Sequence, residues 1–224
     1  MPLGLIALGD SITNGDGEPA LGVPCRSWAL WLAQALELPY TNLACDGAVI
    51  ADVLSCQLPR VQREYDLACL FVGVNDVRGP RWDPERFAEN LDVALGALAE
   101  HAARVLALTI PLDLGRPRAG RAKVAAANAS IRRVAATRGA ECAPLDDLRG
   151  ARMLLPDAVH PTALGQLEIA DRAALALDDV ARLPSTLQRA SSRRSARARF
   201  AARWGAMLVW DLVRRALERF QEPA

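Results

Sequence analysis

A chain of 224 residues, half of them hydrophobic, is long enough for one full-sized domain with an appendage and too apolar for a disordered one. Its formal net charge of +1 hides an asymmetry. Residues 1–180 hold 17 Lys/Arg and 23 Asp/Glu, a net of −6, whereas residues 181–224 hold 10 and 3, a net of +7. The chain is therefore an acidic body with a basic tail, which the near-zero average conceals. No apolar stretch approaches the roughly 18 residues that a membrane span needs.

The start, Met1 to Asp10, lacks a basic leader and reads as a first strand, about residues 3–8, and not as a signal peptide. Four more nearly continuous apolar runs, at about 39–44, 66–72, 104–110 and 140–144, read as strands buried on both faces. Between them lie segments of helical length. Ser27–Glu37 has Ser27 as its cap, and Pro84–His101 has Asp83 as cap with Pro84 in the first turn. Lys123–Arg138 and Thr162–Leu177 complete the set. This alternation predicts a parallel three-layer α/β domain. No internal repeat is visible. Composition changes near Leu183-Pro184-Ser185, so the body is expected to end at about residue 180, with 181–224 forming an Arg-rich linker and an amphipathic helix.

Ligands of such sheets bind beyond the carboxyl ends of the strands. Gly9-Asp10-Ser11, Asp46-Gly47 and Gly73-Val74-Asn75-Asp76 close the first three strands, so polar and glycine residues gather at that edge. Acyl transfer needs a nucleophile, a base, a group that orients the base and donors for the oxyanion. Only two histidines could serve as base. His101 ends an Ala/Leu/Glu-rich helix, where it suits the helix dipole. His160 lies in a proline-bounded loop, and on its own a structural role would account for it equally well. Asp157, three residues ahead, can fold back onto Nδ1 and leave Nε2 free as a base. Its bland alternative is a turn or capping aspartate. Ser11 follows the first strand directly, although Gly-Asp-Ser alone is a common turn tripeptide.

Taken together, these segments resemble the SGNH (GDSL-like) serine hydrolases. Gly9-Asp10-Ser11-Ile12-Thr13 resembles their first block, Gly47 the glycine of the second, Gly73-Val74-Asn75-Asp76 the third and Asp157-Ala158-Val159-His160-Pro161 the fifth. The resemblance covers roughly the first 175 residues. It implies a flavodoxin-like three-layer α/β/α sandwich on a five-stranded parallel sheet, with Ser11, Asp157 and His160 as the triad. It also implies an oxyanion hole from the Ser11 and Gly47 N–H groups and the Asn75 amide. Asp46, before the block glycine, departs from the family's small or polar residue and is expected to point away. Asn128 resembles a recurring family asparagine and is expected to be structural.

The expected activity is hydrolysis of a small or medium acyl ester through an acyl-enzyme, without metal or organic cofactor. A carbohydrate O-deacetylase, a thioesterase and a noncatalytic protein retaining the fold are the alternatives. Arg78, Arg81 and Trp82, just beyond Asn75, are the candidate substrate contacts, with a solvated loop as the competing reading. Asp113–Gly120 is a second candidate rim loop. The five cysteines share no metal-binding spacing; Cys45, Cys69 and Cys142 read as small buried hydrophobes in a reducing, cytoplasmic setting. Three readings stand for the tail around residues 200–220: packing back on the body, pairing with another subunit, or lying on an anionic membrane surface as a peripheral helix. No nucleic-acid partner is expected, since no recognised module accompanies the arginines.

Overall fold

The computed structural model describes residues 2–178 and 193–221. Five parallel strands, β1 (Leu5–Gly9), β2 (Tyr40–Asn42), β3 (Tyr65–Phe71), β4 (Ala102–Leu108) and β5 (Glu141–Ala143), form one sheet in the order β2-β1-β3-β4-β5. The helices are α1 (Ser11–Asn14), α2 (Trp28–Ala35), α3 (Ile50–Asp52), α4 (Val74–Arg78), α5 (Pro84–His101), α6 (Arg121–Arg138), α7 (Ala163–Ala176) and α8 (Arg194–Gln221). In the layer over one face α2 packs against α7, and in the layer over the other α5 packs against α6. This is the flavodoxin-like doubly wound arrangement, whose topological switch point falls between β1 and β3.

Coverage from both sides explains why the strands lack alternation. Leu5, Ile6, Ala7 and Leu8 are all fully buried, as are Leu106 and most of β3. The anticipated bounds of α5 hold at both ends. Asp83 accepts hydrogen bonds from the Glu85 and Arg86 N–H groups (3.0 and 3.2 Å), and Pro84 needs no donor in the first turn. Phe87, Leu91, Ala94, Leu95 and Leu98 form its buried stripe, and each leucine contributes about 2 kcal/mol by leaving water. The chain passes from His101 straight into β4 without a loop, so that strand starts two residues earlier than its apolar run suggests. The strand read at 140–144 shrinks to Glu141–Ala143. Ala140 N–H caps α6 by donating to Ala135 O, and Pro144 has no N–H to give.

The short helices α3 and α4 and the segment after α3 have no counterpart in the sequence reading. After α3 the chain widens into a π-helical turn over Val53–Gln57 and tightens over Leu58–Arg60. The cysteine reading needs correction. Cys69 is buried in β3 and Cys142 is partly buried, but Cys45 is exposed because β2 ends at Asn42 and the chain has already left the sheet.

The anticipated boundary near residue 180 and most of the Arg-rich linker lie outside the described residues. The final helix packs back on the body. Its Ala196 is buried, Phe200 joins the core margin, Arg203 pairs with Glu18, and Trp204 Nε1 donates to Leu154 O at 3.1 Å. The helix therefore straps two loops, one around residues 18–22 and one around 150–158. No described helix is long and apolar enough to cross a membrane.

Candidate active site

Ser11 is the first residue of α1, immediately beyond β1. Asp10 caps this helix by accepting from Ile12 N–H at 3.0 Å. As a first-turn residue, Ser11 has an N–H outside the helix's own hydrogen-bond ladder. The turn itself is clamped. Gln57, fully buried, accepts from Gly9 N–H (2.9 Å) and donates to Gly9 O (2.8 Å). Gly9 adopts φ 143°, and a Cβ there would stand 2.1 Å from Phe71 O, so only glycine fits beside β3. On the far side of α1, the buried Gln166 of α7 donates to Ile12 O at 3.0 Å and accepts from Trp28 N–H at 2.8 Å.

The loop before α7 brings the other two groups to Ser11. Its ends are pinned by Leu155 N–H donating to His160 O at 2.8 Å. Within it, Asp157 Oδ1 accepts from the Val159 and His160 N–H groups (2.9 and 3.1 Å). Ala158 takes a left-handed conformation (φ 53°), which costs an alanine about 1 kcal/mol and lets the chain fold back over three residues. As a result Asp157 Oδ2 lies 2.6 Å from His160 Nδ1, and His160 Nε2 lies 3.0 Å from Ser11 Oγ. Burial alone would lower the His160 pKa. The Asp157 hydrogen bond and charge outweigh it and raise that pKa above the ordinary imidazole value. Burial would likewise raise the Asp157 pKa, but its bonds to His160 and Val159 hold it below the usual carboxylate range.

Gly47 and Asn75 sit at the same edge. Leu43 N–H continues the β2 ladder by donating to Ala7 O, and Cys45 N–H donates to Gly9 O at 3.1 Å, which carries Gly47 past the end of β1. Gly47 is exposed with φ 75°, and a Cβ there would meet nothing within 4 Å. Glycine serves the backbone angle there, not packing. Asn75 follows β3, the neighbour of β1 on the other side. One of its amide protons goes to Ala48 O at 3.1 Å, which fixes the amide plane and leaves the second proton for a ligand. Asp76 accepts from Ile50 N–H (3.1 Å), so two successive side chains of α4 hold the 47–50 loop. Asp46 engages Asn14 Nδ2 at 2.8 Å.

Asp10, which is buried, and Asp76, which is partly buried, are carboxyls that the sequence did not single out. Burial pushes Asp10 up to about 7, and its Oδ2 has no hydrogen-bond donor beside it to stabilise the ionised form. Burial likewise raises Asp76 to about 6, against the pull of Ile50 N–H. Asn128, as expected, is structural: buried in α6, it exchanges hydrogen bonds with the Ile110 backbone (2.8 Å each way) and donates to Asp146.

Arg81 and Trp82 line a cleft of about 350 Å³ together with Asn75, Val49 and Ile50, and Trp82 rests on Phe87 with ring centroids 5.3 Å apart. Arg78 does not line that cleft. It reaches toward Gly115, whose N–H donates to Ala158 O at 2.9 Å beside the His160 loop. His101 stands at the start of β4, the amino edge of the sheet, opposite the edge that holds Ser11. Among the described residues no three His, Cys, Asp or Glu side chains gather as a metal site would require.

The profile of the GDSL-like lipase/acylhydrolase family matches residues 7–167, which contain Ser11, Gly47, Asn75, Asp157 and His160. No curated protein matches the sequence. Among solved structures, the fold is similar to an alpha/beta hydrolase enzyme from the metagenome of Lake Arreo, Spain (22% identity, TM-score 0.65), covering 78% of this chain and 94% of that one. It is also similar to an acetylxylan esterase from Geobacillus stearothermophilus (14%, 0.64, 78% and 93%). A third relative in fold is a protein from Parabacteroides merdae described as a GDSL-like lipase (17%, 0.63, 78% and 95%). The chain belongs to the GDSL-like lipase/acylhydrolase family and is a hydrolase of ester bonds.

Proposed function

We propose that the chain is a serine esterase working through an acyl-enzyme, with Ser11 as nucleophile. The observation that carries this reading is the continuous hydrogen-bonded chain Ser11 Oγ–His160 Nε2 and His160 Nδ1–Asp157 Oδ2, at 3.0 and 2.6 Å. Ser11 Oγ attacks the acyl carbon while its proton passes to His160 Nε2. Asp157 fixes the tautomer and stabilises the imidazolium. The Ser11 and Gly47 N–H groups and the Asn75 amide receive the developing oxyanion. Collapse of the tetrahedral adduct expels the alcohol, which takes the proton from His160. Water then attacks the acyl-serine with His160 again as base, and releases the acid and the free Ser11 hydroxyl.

A small or medium acyl ester is the substrate class, with Arg81 and Trp82 contacting it. A second reading, hydrolysis of carbohydrate acetyl esters, draws support from the cleft beside Asn75. There Trp82 is ringed by Arg81, Asp83, Arg86 and Asn90, a stacking surface with polar neighbours that suits a sugar. The acetylxylan esterase of similar fold adds to that support. A fluorophosphonate probe tests the nucleophile: it should label the full chain and leave Ser11→Ala unlabelled. Equal labelling of both would reject Ser11. Acyl esters of increasing chain length, set against acetylated sugars, separate the two substrate readings.

A further inference from the structure

Seven large apolar side chains stand exposed among the described residues, and five of them, Val209, Trp210, Leu212, Val213 and Leu217, fall within nine residues of α8. At 100° per residue, Val209, Trp210, Val213 and Leu217 share one arc of the helix, together with Ala202, Ala206 and Ala216. No charged residue enters that arc from Ala202 to Leu217. Ala196, Phe200, Trp204 and Asp211 occupy the opposite side, where the helix meets the body. The inner face, where the buried Asp211 pairs with Arg215, is covered by the body, whereas the apolar outer arc is not. Trp210 is 71% exposed and Val209 61%, which is not the state of side chains that merely fill a seam.

We propose that this outer face of α8 docks the protein on the surface of an anionic lipid bilayer. The charge on the same helix selects that occupant. Residues 193–217 carry seven arginines and one aspartate, and the exposed Arg194, Arg199, Arg203 and Arg214 lie within that outer arc or flank it. A second copy packed parallel would set the two leading cationic segments side by side, and one packed antiparallel would set each against the Arg214–Arg215 end of the other, with few carboxylates in either case. A bilayer with acidic headgroups supplies the missing counter-charge along the leading turns and an apolar interior for Val209, Val213 and Leu217. Trp210, at the border of the arc, has the amphipathic ring that favours the headgroup level. The inner face of the helix fastens to the loops around residues 18–22 and 150–158, so docking would hold the His160 loop close to the lipid. The inference does not depend on which residue is the nucleophile.

The test uses the full chain with two kinds of vesicle, phosphatidylcholine alone and phosphatidylcholine mixed equally with phosphatidylglycerol. The protein should sediment with the mixed vesicles, weakly with the neutral ones, and less at high salt. The double variant Trp210→Glu/Val213→Glu should lose about tenfold or more of its binding to the mixed vesicles. Both positions are exposed, so its hydrolysis of a small water-soluble ester should match the parent, which certifies its fold. A parent chain that stays in the supernatant with the mixed vesicles overturns the proposal, as does a double variant that binds as well as the parent. A third overturning result is a dimer by light scattering that the double substitution dissociates and the vesicles do not, which would make a second copy the occupant.

Discussion

Replacing Gln57 by leucine should damage both stability and turnover, although Gln57 touches none of Ser11, Asp157 and His160. Its side chain acts as one more strand residue beside Gly9, accepting from the N–H and donating to the C=O of the same peptide position, with all partners buried. Leucine keeps the bulk and removes both bonds. Gly9 O retains the Cys45 N–H, but Gly9 N–H is left without this acceptor. Two lost hydrogen bonds at about 1 kcal/mol each, with an orphaned donor at about 1–3, give a cost of about 3–5 kcal/mol. For a chain of this size that is a fall in Tm of roughly 10 °C. Because Asp10 and Ser11 follow Gly9 directly, loosening the turn should also misplace the hydroxyl, and kcat should fall by about 10²-fold with KM little changed. Gln57→Glu makes the reasoning sharper. A carboxylate still accepts from Gly9 N–H but sets its second oxygen against Gly9 O, so its deficit should shrink as the pH is lowered and the acid takes a proton. Thermal melting and p-nitrophenyl acetate hydrolysis across pH read both effects. A Leu variant indistinguishable from the parent in Tm and kcat would refute the clamp.

The remaining expectations concern the site itself. His160→Ala should abolish most turnover and His101→Ala should leave it near the parental rate; the reverse pattern would overturn the assignment of the base. The acid limb of kcat/KM should fall as His160 protonates, at a pH above the ordinary imidazole range because Asp157 holds the proton on; Asp157→Asn should move that limb lower and depress the rate severely. Asn75→Ala should reduce kcat by roughly 10²–10³-fold, and an effect confined to KM would make it a ground-state contact instead. Asp10 titrates near 7 when folded against 3.8 unfolded, so the folded state keeps its proton across that interval. Stability should therefore fall between about pH 4 and pH 7 and level off above, by about 4 kcal/mol at most, and Asp10→Asn should flatten the slope in denaturant melts.

The legible parts of the sequence were those written in local chemistry. Asp83 and Pro84 give α5 its start, the uninterrupted apolar runs give a sheet covered on both faces, and Asp157 placed three residues before His160 gives a fold-back that the loop adopts. What stayed hidden depends on distant partners. Gln57 lies in a segment whose π-helical turn leaves no 3.6-residue pattern, and nothing nearby in sequence says that its amide meets Gly9. Gln166 reads as one polar residue of α7, yet it is buried against Ile12 O, 154 positions away. The burial of Asp10 and the partial burial of Asp76 were equally silent, since an acidic residue at a strand end ordinarily faces water. The tail showed its charge and its tryptophans, but which face meets the body is decided by Glu18 and Leu154, far upstream.

The span between the two ends of the hydrogen-bonded chain has a consequence for synthesis. Ser11 and His160 stand 149 residues apart in sequence and meet only when the sheet has closed between them. At the usual 5–20 residues per second, the hydroxyl leaves the ribosome roughly 7–30 s before its base. Throughout that time the nascent chain carries Ser11 without His160 beside it, and on the proposed mechanism it should not turn over an ester. The strap that fastens the His160 loop emerges later still. On the proposed mechanism, chains that stop short of His160 should therefore be inactive, whatever the state of the sheet.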